Sequence, residues 1–191
     1  LPTGTTSAHQ NFGDKNILEE IELNGVISIP QNSFQEYKKL TNVILPSSLT
    51  TLGGGAFFNC SELSIDASTL PKSITSIAYG CFYKTKLYGE IDLPNLSGTV
   101  AYGTFNGTQI SKIKSLGTVS SFGTAGASMG YPFQDCTALT EISQSVWDNI
   151  ISYDNSFQGC TSLYIDEFRV PNLEKINPLG GGPRIRSIRD L

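Results

Sequence analysis

Six phenylalanines recur along this chain at nearly constant spacing, each in a short segment of similar make-up. The segments are Asn32-Ser33-Phe34, Gly55-Ala56-Phe57, Gly80-Cys81-Phe82, Gly103-Thr104-Phe105, Tyr131-Pro132-Phe133 and Asn155-Ser156-Phe157. The intervals between the rings are 23, 25, 23, 28 and 24 residues. A unit that short cannot bury its own apolar face. Copies must stack so that each covers the next, and the fold that follows is a solenoid rather than a closed globule.

Aligned on the phenylalanines, further columns appear. Five residues before the ring stand Ile29, Leu52, Ile77 and Val100. The fifth copy carries Phe122 eleven residues ahead of Phe133, an insertion of six, and the sixth places Ile151 six ahead of Phe157. Three residues after the ring come Tyr37, Cys60, Thr85, Thr108, Cys136 and Cys160. Six after come Leu40, Leu63, Leu139 and Leu163, with Leu87 and Ile110 one position earlier in their copies. Alternating stretches then follow: LTNVIL from Leu40, LSIDA from Leu63, EIDLP from Glu90, ISKIKSL from Ile110, LTEIS from Leu139 and EFRVP from Glu167. Alternation of apolar and polar residues predicts half-buried strands. LEEIEL from Leu18 and RIRSI from Arg184 read as one more strand at each end, about eight in all.

The run TLGGGAFFNCSEL from Thr51 to Leu63 resembles the BspA-type leucine-rich repeat, whose signature is roughly I-G-x-x-A-F-x-x-C-x-x-L before a strand ending in I-P. SYDNSFQGCTSL from Ser152 and YPFQDCTALTEI from Tyr131 match nearly as well, and the resemblance covers roughly residues 26 to 170. The third and fourth copies depart from it, with threonine in place of cysteine. The resemblance implies an α/β-type, right-handed leucine-rich-repeat solenoid of short parallel strands, turns and short helical segments. It also implies a bacterial cell-surface or secreted protein that adheres to a host or matrix protein or a glycan. On this reading residues 1–16 are an unpatterned segment and 17–191 the solenoid, its last repeat degenerate from about residue 176. The other role open to such a chain is a structural spacer within a larger surface protein.

Chemistry is hard to find. The only histidine, His9, precedes the first strand, so a Ser-His-Asp or Cys-His site would have to be built on it. Gly53-Gly54-Gly55 and Gly180-Gly181-Gly182 lack the Gly-Lys-Ser/Thr of a phosphate loop. No C-x-x-C pair and no calcium-loop pattern occurs, so no metal or cofactor is expected, and the chain reads as a non-enzyme. Cys60, Cys136 and Cys160 share a repeat column and Cys81 another, which predicts small buried thiols rather than disulfides. Net charge is −4, with no basic run, which argues against nucleic acid as a partner. No apolar stretch is long enough to span a membrane. A monomer is expected.

Two places remain as candidate binding surfaces. The outward residue of each strand reads along the stack Glu22, Ile44, Asp66, Asp92, Lys114, Ser143, Arg169 and Arg189, with Lys112 beside Lys114. The first half is acidic and the second basic, a polarity suited to a partner of opposite polarity. The insertion at residues 123–132, with Met129 and Tyr131 as its sizeable groups, is the other candidate, since insertions in solenoids often map to a binding side.

Overall fold

The fold is described from a computed structural model, which defines residues 14–123, 128–151, 155–166 and 184–186. In chain order the strands are β1 (Glu20–Glu22), β2 (Ser28–Ile29), β3 (Asn42–Ile44), β4 (Thr51–Leu52), β5 (Ser76–Ile77), β6 (Tyr88–Asp92), β7 (Ser97–Val100), β8 (Gln109–Ser115), β9 (Thr118–Phe122), β10 (Glu141–Ile142), β11 (Tyr164–Asp166) and β12 (Arg184–Arg186). A 3-10 turn covers Ala67–Thr69, and one short helix, α1, covers Gln144–Trp147. Every strand pairing is parallel, as stacked rungs require. The chain is a parallel-strand solenoid with little helix.

Each rung has two strand sides and one corner. The first side pairs β1 with β3 and orders β10-β8-β6. The second orders β2-β4-β5 and pairs β7 with β9. Its strands end at the apolar column that precedes Phe, and Ile29, Leu52, Ile77, Val100 and Phe122 are all buried. Several are dipeptides, too short to show alternation.

The phenylalanines form the corner and the spine of the core. All six rings are at most 2% exposed. Successive rings stack with centroids 5.3, 5.7, 5.9, 5.3 and 5.3 Å apart. The backbone around each ring alternates its amides. Asn32, Phe34 and Glu36 donate N–H to the carbonyls of Gly54, Ala56 and Phe58 one rung on, while Ser33, Gln35 and Tyr37 bond back within their own turn. This alternation needs left-handed backbone two residues before and two after the ring. Gly55 and Asn59 (φ +61° and +58°) and Gly80 and Lys84 (+58° and +54°) supply it. The column three after Phe then satisfies leftover carbonyls: Cys60, Cys136 and Cys160 donate S–H to the carbonyls of Phe34, Phe105 and Phe133, at 2.8, 3.1 and 3.1 Å. The four cysteines are free and buried. Burial pushes the Cys60 thiol up to about 12.

Two local expectations are corrected. LSIDA forms no strand; only Asp66 bridges Tyr88, because the Asp66 carboxylate accepts from Ser68 N–H (2.9 Å) and caps the 3-10 turn. In the sixth copy Ile150 takes the buried place at 2% exposure, while Ile151 is 71% exposed. Strand β11 covers Tyr164–Asp166, and the predicted strand EFRVP after it lies outside the described residues.

Candidate functional site

The outward face of the first side carries most of the residues singled out from sequence. Glu22 pairs in register with Ile44, which is exposed. Asp66 pairs with Tyr88 rather than Asp92, while the register shifts of β6 lie on its other edge, against β8. Asp92 and Lys114 do meet, at 3.1 Å. Lys112 lies 3.0 Å from Glu141 and 3.9 Å from Glu90, and Lys114 3.9 Å from Glu90. Lys72 reaches Asp92 from a neighbouring turn at 3.4 Å. Parallel pairing of Glu90 and Glu141 with Lys112 brings opposite charges side by side, the favourable cross-strand arrangement. The charges at mid-stack are therefore interleaved rather than sorted into an acidic and a basic half. The hydrogen bond from Lys114 holds the Asp92 carboxyl below its ordinary range, and the same bond raises Lys114. Ser143 precedes α1 and donates its N–H to the Ile113 carbonyl. Arg169 and Arg189 lie outside the described residues.

Where the chain leaves the sheet after Asp66, a cleft of about 270 Å³ opens, lined by Asn42, Val43, Ile44, Leu45, Ile65 and Thr69.

The insertion's two large residues pack back onto the corner. A methyl group built on Gly80 would meet Met129 Sδ at 2.6 Å, and one on Gly103 would meet Met129 Cβ at 2.6 Å, so Met129 covers both glycines. The Met129 carbonyl accepts from Asn106 Nδ2 at 3.0 Å. The Tyr131 hydroxyl accepts from Asn155 Nδ2 at 3.0 Å. Both residues are half-buried.

Sequence reading missed the second side. Its outward column is hydroxylic in the first five copies: Ser28 pairs with Thr51, Thr51 with Ser76, and Thr99 with Ser121. The signal was present, since each of these residues immediately precedes the apolar column. Three residues beyond Ser76 and Thr99 stand Tyr79 and Tyr102, their rings stacked at 5.1 Å.

Among the described residues no three His, Cys, Asp or Glu side chains gather as a metal site, and no helix is long and apolar enough to cross a membrane.

Residues 6–128 match the family model of the BspA type leucine rich repeat region in 6 copies, and the chain belongs to that family. The match begins inside residues 1–16, ahead of the first strand. Two solved structures resemble the chain. A leucine-rich repeat protein from Bacteroides ovatus is 19% identical, with 88% of this chain and 55% of that one covered and a TM-score of 0.38. The leucine-rich repeat protein of T. pallidum is 17% identical, with 91% and 86% covered and a TM-score of 0.37. The chain thus spans about 55% of the length of the first of these. No curated protein matches it.

Proposed function

We propose that this solenoid is a non-catalytic adhesion module of an exported, cell-surface protein, and that the outward face of its first side grips a host or matrix protein or a glycan. The family favours an interaction or structural role and is generally non-enzymatic. The observation that carries the reading is the outward-facing, partly exposed row of charges across β6, β8 and β10, outside the core and unneeded by it. Ion pairs on such a face exchange readily for a partner's charges, because exposed pairs are worth little to stability. The test is an array of host and matrix proteins and glycans probed with this chain, followed by binding kinetics of any hit. Reversing Lys112 and Lys114 to glutamate should slow association and change its salt dependence at nearly constant melting temperature. An unchanged on-rate and salt dependence would show that the partner docks elsewhere. The interleaving of the charges with one another favours a second reading, a structural spacer, which an array without hits would support.

A further inference from the structure

The two strand sides differ in one respect that bears on ligand chemistry. The first carries interleaved ion pairs. On the second, β2, β4, β5, β7 and β9 hold no charged residue at all. Their outward column is Ser28, Thr51, Ser76, Thr99 and Ser121, in which Ser76 and Thr99 are exposed. The Thr99 and Ser121 hydroxyls bond each other at 2.7 Å. Beside its middle rungs two threonines are anchored: the Thr50 and Thr75 hydroxyls donate to the Ile27 and Thr50 carbonyls at 3.0 and 3.3 Å, which fixes their rotamers. The opposite margin is the Tyr79–Tyr102 stack, and the Tyr79 hydroxyl accepts from Gln31 Nε2 at 2.6 Å. Gly54 makes room for this wall, since a methyl group there would lie 2.6 Å from the Tyr79 ring.

We propose that this strip binds an extended, uncharged polysaccharide along the solenoid axis. Hydroxyls that both donate and accept suit a ligand that does the same. The rungs repeat at ~4.8 Å, close to the advance of one hexose in an extended glycan, so each rung meets one sugar. An ionic ligand would lose its hydration against a face that offers no counter-charge. A second copy of the chain is a poorer occupant. Five rungs at ~4.8 Å and a width on the order of 12 Å give roughly 300 Å² per partner, well short of the ~800 Å² of a standard interface. The proposal rests on reading the solenoid as a binding module, and is independent of the charged face.

The test is isothermal titration calorimetry of the chain with cellohexaose, chitohexaose and mannohexaose, all β-1,4-linked and extended, at low and high salt. At least one should bind saturably with an affinity that salt leaves unchanged. The variant carrying Ser76→Lys and Thr99→Lys, both at exposed positions, should lose at least about tenfold in affinity while keeping the wild-type melting temperature. Tyr102→Ala, checked the same way, should weaken binding as well. If none of the three sugars binds, the proposal is overturned, whereas a protein hit whose on-rate falls on reversing Lys112 and Lys114 would leave the charged-face reading standing. Binding that salt abolishes, or that a folded Ser76→Lys, Thr99→Lys variant retains in full, overturns it too.

Discussion

Replacing Phe82 by alanine probes the stacked ring column where it is best supported. Phe82 has no exposed surface and stands between Phe57 and Phe105, at 5.7 and 5.9 Å, with interplanar angles of 16° and 10°. Burying such a side chain is worth ~1.5–3 kcal/mol by transfer alone. The cavity left between two rungs adds to this, because neither neighbouring ring can close the gap without pulling its own rung out of register. The expected loss is therefore ~3–5 kcal/mol. The matched control is Phe58→Ala, one position along in the previous copy. Phe58 also stacks, on Tyr83 at 4.8 Å, but it is half-buried on the outside of the corner, and its removal opens no enclosed cavity. Its loss should cost ~1 kcal/mol. Urea unfolding followed by circular dichroism measures both, with similar slopes expected if the two variants differ only in stability. A cost for Phe82→Ala below ~1.5 kcal/mol, or no larger than that of Phe58→Ala, would refute the idea that interior ring stacking holds the rungs together.

Three further outcomes are expected. Thiol labelling of the unreduced native protein should be slow and should reach all four cysteines only in denaturant, since Cys60, Cys81, Cys136 and Cys160 are buried free thiols and burial raises Cys60 to about 12; fewer than four reactive groups in denaturant would contradict this. Gly80→Ala should cost ~1–2 kcal/mol for left-handed backbone alone. It should cost more because of Met129 Sδ, so adding Met129→Ala should destabilise less than the sum of the two changes, measured by the same unfolding curves. The folded pKa of Asp92 lies below its ordinary 3.8, so its pairing contributes above that value and is lost as pH falls through the folded pKa. The unfolding free energy of Asp92→Asn should accordingly trail the wild type slightly at neutral pH, by less than ~1 kcal/mol, and converge with it in strong acid.

The columns that read clearly from sequence are those where one side chain does one job in every copy. The Phe ring must fill the same interior space in each rung, and Leu40, Leu63, Leu139 and Leu163 close the next corner, fully buried as the pattern required. The left-handed positions were half legible. Before the ring they are written as Asn32, Gly55, Gly80 and Gly103, but after it Glu36, Asn59, Lys84 and Asp135 accept the same conformation with unrelated side chains. Asp66 shows why alternation alone misplaced the charged face. Its capping bond to Ser68 competes with the ladder and turns the chain out of the sheet, so the next strand pairs on Tyr88 instead of Asp92. The hydroxyl side escaped notice because its early strands are two residues long and carry no period to detect.

The corner amides have an electrical consequence. Every inter-rung bond there runs the same way, from Asn32, Phe34 and Glu36 to the second copy, then from Gly55, Phe57 and Asn59, and on through Phe82, Phe105 and Phe133 to Ser156. Peptide dipoles in a sheet alternate and largely cancel. Those along this edge add. Their positive ends point toward the last rung, so the edge carries an axial dipole opposite in sense to that of an α-helix, whose positive end lies at its start. Each added repeat extends this dipole through its backbone alone, whatever side chains it carries. Anions are favoured where the edge finishes and cations where it begins.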